Sequence, residues 1–208
     1  MKYRPEIDGL RALAVVPVVL FHAGFPVFGG GFLGVDVFFV ISGFLITTLI
    51  LSELDQDNFS FLKFYERRAR RILPALVVMV MASIPLAWMS MSHYQFKAFA
   101  QSIVGVVMFV SNIFFWQSSG YFADTNDIIP LFHTWSLAIE EQFYIVFPLV
   151  LLMIWRRPQS ILWVLLGIGL VSLMLAQWSI EHNPVAGFYL LSTRLILDYI
   201  NLVLIVRF

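Results

Sequence analysis

Cysteine is absent from the 208 residues, which excludes a disulfide framework, a thiolate metal site and a cysteine nucleophile. Charge is scarce as well, at 12% of residues against roughly a quarter in ordinary soluble domains. The two signs cancel, with 13 Lys and Arg against 13 Asp and Glu, so no whole-chain field draws the protein toward nucleic acid. There is no internal repeat and no low-complexity tract. What the chain does have is apolar mass: 60% hydrophobic residues, 16% aromatic, 21 Phe and 6 Trp, and a mean hydropathy of +0.86. A soluble globular domain, a disordered chain and a nucleic-acid binder are all excluded by this balance. At about 20 residues per crossing there is room for six or seven spans. The fold class is all-α, a polytopic transmembrane helix bundle, read as a single membrane domain over residues 1–208.

The apolar runs are Leu10–Phe25, Phe32–Ser52, Ile72–Ser92, Phe99–Trp116, His133–Trp155, Ile161–Trp178 and Phe188–Val206. A Pro/Gly turn, Pro26–Gly31, separates the first two, and a polar stretch, Glu53–Arg71, read as a loop, separates the second from the third. The first run is not a cleaved signal peptide, because Asp8 and Arg11 stand at its entrance and no small-x-small site follows it. Lys2 and Arg4 before the first span, and Lys63, Arg67, Arg68, Arg70 and Arg71 before the third, place the N-terminus and that basic segment on the cytoplasmic side. Arg156 and Arg157 conflict with this if every run crosses, so either Phe99–Trp116 or His133–Trp155 is re-entrant or these two arginines are tolerated outside.

Ionisable residues within membrane spans are expensive and therefore candidate functional sites. Arg11 and His22 are eleven residues apart, which returns to within about 20° of one helix face over a rise of roughly 16 Å. Arg11 read blandly is an interfacial anchor, and His22 a bundle hydrogen-bonder. Asp36, one turn into the second span, reaches a depth comparable to His22. It is either the carboxylate that orients the imidazole as a general base or an interfacial N-cap in a Gly-rich turn. Five cations within Lys63–Arg71 fit either forked contacts to phosphate, from Arg67, Arg68 and Arg71, or anionic lipid headgroups. The fifth run opens His133–Thr134–Trp135–Ser136–Leu137–Ala138–Ile139–Glu140–Glu141–Gln142–Phe143–Tyr144. Ser136 and Glu140 share a face, and the segment reads as a polar cavity wall, with His133, Trp135, Ser136, Glu140, Glu141 and Tyr144 as candidate sugar or acyl-acceptor contacts. Trp135 and Tyr144 could equally belong to an aromatic belt. No cluster has metal-ligand spacing.

Four segments in order carry a resemblance. Tyr3 to Val15 with His22, Gly34 to Ile46, Phe64–Tyr65–x–Arg67–Arg68–x–x–Arg71–Ile72–x–Pro74, and His133 to Tyr144 closely resemble the type-3 membrane acyltransferases, from about Lys2 to Arg194. The resemblance implies an inner-membrane O-acyltransferase, usually an O-acetyltransferase of bacterial surface polysaccharides such as lipopolysaccharide. It implies acetyl-CoA or another acyl-CoA as donor substrate at the cytoplasmic side, no permanently bound cofactor and a saccharide acceptor on the other side. The family's Arg-x10-His motif falls on Arg11 and His22, with His22 as general base or transient acyl carrier, and its Arg-x-x-Arg motif on Arg68 and Arg71. Implied partners are membrane lipid, acyl donor and saccharide, without nucleic acid. Family members continue beyond a Thr-Arg pair like Thr193–Arg194 with further spans. Residues 195–208 diverge, so the chain is expected to be C-terminally truncated. Two other readings stand beside this one: a proton- or solute-coupled transporter using Arg11, His22, Asp36 and Glu140 as a relay, and an inactive fragment of the acyltransferase.

Overall fold

A computed structural model describes residues 5–118, 129–155 and 158–193. Every element in these residues is helical: α1 (Pro5–His22), α2 (Gly34–Asp55), α3 (Phe61–Ser90), α4 (His93–Val107), α5 (Ser111–Ser118), α6 (Thr134–Trp155), α7 (Pro158–His182) and α8 (Pro184–Tyr189), with two short 3₁₀ turns, Pro26–Phe28 and Gly31–Leu33, between α1 and α2. The all-α class is therefore as the sequence implies. Three stretches of the described residues are long and apolar enough to cross a bilayer, Gly31–Asp55, Phe61–Ser90 and Thr134–Met153. Arg156, Arg157 and Arg194, and the divergent segment 195–208, lie outside the described residues. So does most of the span expected over Phe188–Val206.

The described chain divides into two compact units. The first is built on α1 and α2, which pack against each other, and draws in residues 144–178. α1 closes with a Schellman cap: Gly24 N–H reaches Phe21 O at 3.0 Å and Phe25 N–H reaches Leu20 O at 3.1 Å. Gly24 holds φ +80°, a left-handed conformation that costs a residue with a Cβ about 1–2 kcal/mol. The chain then returns along α1 so closely that a Cβ on Gly34 would strike Ala14 O and come within 2.8 Å of Val18 Cγ2, while one on Gly31 would strike Pro17 O and come within 2.8 Å of Phe21 Cβ. Two backbones in contact is the packing that small residues permit in apolar surroundings, where van der Waals fit rather than water release holds helices together. Along α2, Phe39, Ser42, Gly43, Ile46, Thr47 and Ile50 are buried, one stripe at three- and four-residue spacing.

The second unit comprises residues 56–143 and 179–191, with α3 on α4, α4 on α5 and α5 on α8. Here the helix boundaries depart from the apolar runs twice. The polar stretch ahead of the third run is helix from Phe61 onward, because Lys, Arg, Glu and Ala are good helix formers and Glu66 Oε1 pairs with Arg70 Nη2 at 2.7 Å one turn on. The thirty residues of α3 rise about 45 Å, more than the roughly 30 Å hydrocarbon core requires. The charged first ten therefore project beyond it. The run Phe99–Trp116 is also not one span. α4, started by a Ser92–Gln95 capping box, ends at Val107, and α5 begins at Ser111. The break is a second Schellman cap, with Phe109 N–H to Val106 O at 3.1 Å and Val110 N–H to Gly105 O at 2.8 Å. A phenylalanine at φ +53° stands in the place glycine usually takes.

Gly34→Val should force the two helices of the first unit apart. Thermal retention of the detergent-solubilised protein is expected to fall clearly below wild type, whereas Gly30→Ala, whose Cβ would meet nothing within 4 Å, should leave it unchanged.

Candidate functional site

The residues singled out from sequence fall into two groups, one for each unit. In the first unit, Arg11, His22 and Asp36 belong to the α1–α2 pair. Arg11 is half-buried, and its guanidinium carbon stands 4.9 Å from the centroid of the Phe38 ring on α2, a cation–π approach that holds the side chain against the neighbouring helix. His22 occupies the last turn of α1, just before the Gly24 cap, and is exposed. Its Nδ1 lies 2.8 Å from Val18 O, one turn back. A carbonyl oxygen can only accept, so Nδ1 carries the proton and donates, and in the neutral ring Nε2 keeps the lone pair. The ring edge is braced by Phe21, with centroids 5.1 Å apart. For Asp36 two readings stand, a carboxylate that orients the imidazole or an N-cap. The ring's Nδ1 bond goes to the Val18 carbonyl, because a carbonyl on the same helix is already at hydrogen-bond distance and needs no second element. Asp36 itself is half-buried in the first turn of α2.

In the second unit, α3 presents the basic residues and the first half of α6 the carboxylates. The three predicted phosphate ligands separate by exposure: Arg67 and Arg71 are exposed, one helical turn apart, while Arg68 is half-buried. Arg68 acts electrostatically on Glu141, together with the like charge of Glu140, so one cation from α3 and two adjacent carboxylates from α6 form a single charge cluster. Glu141 Oε1 is buried and makes no hydrogen bond. His133 is exposed at the start of α6, with Nε2 3.1 Å from Met79 Sδ, and Ser136 Oγ donates to His133 O at 3.1 Å. The aromatic candidates are packed rather than presented. Trp135 is 8% exposed, its ring covered by Phe188 at 4.7 Å and Tyr189 at 5.7 Å between centroids; Tyr144, which belongs to the first unit, is 1% exposed.

Two side chains without an assigned role prove to be central to this unit. Gln142 Nε2 donates to Phe109 O at 2.9 Å and to Asn112 Oδ1 at 2.8 Å. Asn112, 1% exposed, donates in turn from Nδ2 to Tyr189 O at 3.0 Å, and beside it Ser111 Oγ donates to Thr134 O at 2.9 Å. The signal that points to Asn112 is an amide inside the apolar run Phe99–Trp116, where a polar group must find an internal partner.

A family model described as an acyltransferase domain matches residues 4–197. A protein of Staphylococcus aureus strain MSSA476, provisionally named an O-acetyltransferase, is 37% identical over 201 residues, covering 94% of this chain and 33% of its own length. The O-acetyltransferase OatA of Staphylococcus aureus strain NCTC 8325 is 39% identical over 177 residues, covering 83% of this chain and 29% of its own. The chain thus spans about a third of the length of these curated relatives. No solved structure matches it significantly.

The unequal placement of the arginines predicts unequal effects. Arg68→Ala leaves Glu141 beside a like charge alone and should lower stability by about 1–2 kcal/mol, the order of a half-buried charge losing its partner. Arg67→Ala and Arg71→Ala should change stability by no more than about 0.5 kcal/mol, as exposed substitutions do. Denaturation of the three variants in one detergent compares them directly.

Proposed function

The chain belongs to the acyltransferase domain family that its residues 4–197 match, and from that premise we propose that it is an integral membrane O-acyltransferase moving an acetyl group from acetyl-CoA to a hydroxyl of a cell-envelope saccharide. In this reading it is a multi-pass protein of the bacterial cytoplasmic membrane with its N-terminus in the cytoplasm. The observation that carries it is the state of His22, whose Nδ1–H is given to Val18 O, so that the nitrogen left as a base, Nε2, is on an exposed ring at the end of α1. A general base must hold its lone pair in reach of the reacting hydroxyl, and a tautomer set by a backbone carbonyl does not depend on a mobile partner.

The acceptor hydroxyl gives its proton to His22 Nε2 as its oxygen attacks the thioester carbonyl. The tetrahedral adduct collapses with cleavage of the carbon–sulfur bond, and the departing thiolate takes the proton back from His22. The products are the O-acetyl ester and CoA, with His22 regenerated. Arg11 lies roughly 16 Å along the same face, too far to touch the carbonyl at His22 and suited to the far part of an extended donor. Asp36 adds negative charge to the first turn of α2. Arg67, Arg68 and Arg71 take the donor's phosphates, the exposed pair through forked contacts and Arg68 as the member also balanced by Glu141. His133, Ser136, Glu140 and Glu141 are the polar contacts for the saccharide, and Trp135, covered by Phe188 and Tyr189, supports them from behind. The unfilled Glu141 Oε1 supports this, since a sugar hydroxyl is the kind of donor a buried carboxylate oxygen takes.

His22→Ala should lower acetate released from the purified envelope polysaccharide by at least about a hundredfold, the lower end of what a general base contributes. Abundance and membrane insertion should be unchanged. Wild-type ester content in that variant would remove His22 from the chemistry.

A further inference from the structure

We propose, resting on the acyltransferase reading, that Gln142 is a positioning residue: through Asn112 and the Phe109 carbonyl it sets the rotation of α6 about its own axis, and thereby the direction in which Ser136 and Glu140 face. The argument begins at the break between α4 and α5. Phe109 sits at φ +53°, where a bulky side chain costs about 1–2 kcal/mol, and such a conformation persists only when its surroundings over-determine it. The amides around the break are bonded within it. Phe109 O is bonded from outside, by Gln142 Nε2 at 2.9 Å. That same nitrogen reaches Asn112 Oδ1 at 2.8 Å, and Asn112 Nδ2 reaches Tyr189 O at 3.0 Å. One side chain of α6 is thus bonded to the α4–α5 break and to the first turn of α5, and through Asn112 it is linked to the end of α8.

These ties all fall on one face of α6. Trp135 lies seven residues before Gln142, within about 20° of the same direction, and packs on Phe188 and Tyr189. Glu140 lies two residues before Gln142, about 200° around the helix, with Ser136 one turn further back. The amide face is held by these hydrogen bonds, and the carboxylate and hydroxyl, about 160° and 120° from it, turn with it. An apolar residue at position 142 would keep the packing but release the rotation.

The absence of cysteine makes the rotation measurable, because a single introduced thiol is unique. Ser136→Cys should react with N-ethylmaleimide about tenfold faster in a Gln142→Leu background than with Gln142 present, the order of population change that follows loss of one intramolecular hydrogen bond. Gln142→Glu keeps the size but loses the donor to Phe109 O, and should behave like Gln142→Leu. Met89→Cys, exposed near the far end of α3, should react at the same rate in all backgrounds. In turnover assays, Gln142→Leu should lower kcat about tenfold while the KM for acetyl-CoA stays within about twofold. An unchanged Ser136→Cys rate, or Gln142→Glu behaving as wild type, overturns the proposal. So does a parallel rise at Met89→Cys, which would make Gln142 a general stabiliser. The labelling needs no acyl transfer, so its failure is separate from failure of the acyltransferase reading, which His22→Ala decides.

Discussion

A polar group carried into an apolar interior must be answered by another group of the same chain, because there is no water to answer it. The rest of the structure depends on that constraint. It explains why Arg11 settles against an aromatic ring and why the carbonyl at the α4–α5 break meets a glutamine. Each answer is local and geometric, and each fixes an orientation as a by-product. In a chain with so little charge, these few polar contacts are what distinguish one rotation of an apolar helix from another.

The two units meet the constraint by different means. In the first, backbones come into contact through Gly31 and Gly34, so the packing itself is stiff, and the polar side chains at the ends of α1 and α2 are held by helices that cannot slide. In the second, a strained phenylalanine, the amide pair of Gln142 and the buried Asn112, and an aromatic cluster around Trp135 and Tyr189 join neighbouring helix ends to one face of α6. The charge cluster of Arg68 with Glu140 and Glu141 belongs to this unit, and its carboxylate oxygen, like the buried hydroxyls of Ser42 and Thr47 in the first unit, makes no hydrogen bond. A carboxylate of that kind is what a binding site requires, since a fully answered carboxylate has nothing left to offer a ligand.

Helical class, the family and most helix centres were legible from composition, apolar runs and four motif segments. Boundaries were less so, and for identifiable reasons. The stretch ahead of Ile72 is polar, which suggested a loop, but its residues are strong helix formers and its charges project past the apolar layer without interrupting the backbone. The break at Phe109 had no glycine or proline to announce it. Only the adjacent Ser111 and Asn112, polar residues inside an apolar run, hinted that the helix restarts there.

Residue identities determined by themselves that this is an apolar helical chain, that Arg11 and His22 share a stripe, and that arginines and carboxylates stand in the order of an acyltransferase. Helical spacing and hydropathy suffice for the first two, which depend on neighbours within a few turns, and the third rests on the resemblance of four motif segments. Only the tertiary structure decided that Val18 O accepts the His22 proton, that Arg68 is half-buried while Arg67 and Arg71 are exposed, that Trp135 is covered, and that Gln142 closes a break thirty-three residues away. Those outcomes depend on which partner lies nearest once the helices have packed, and spacing along the chain does not determine that.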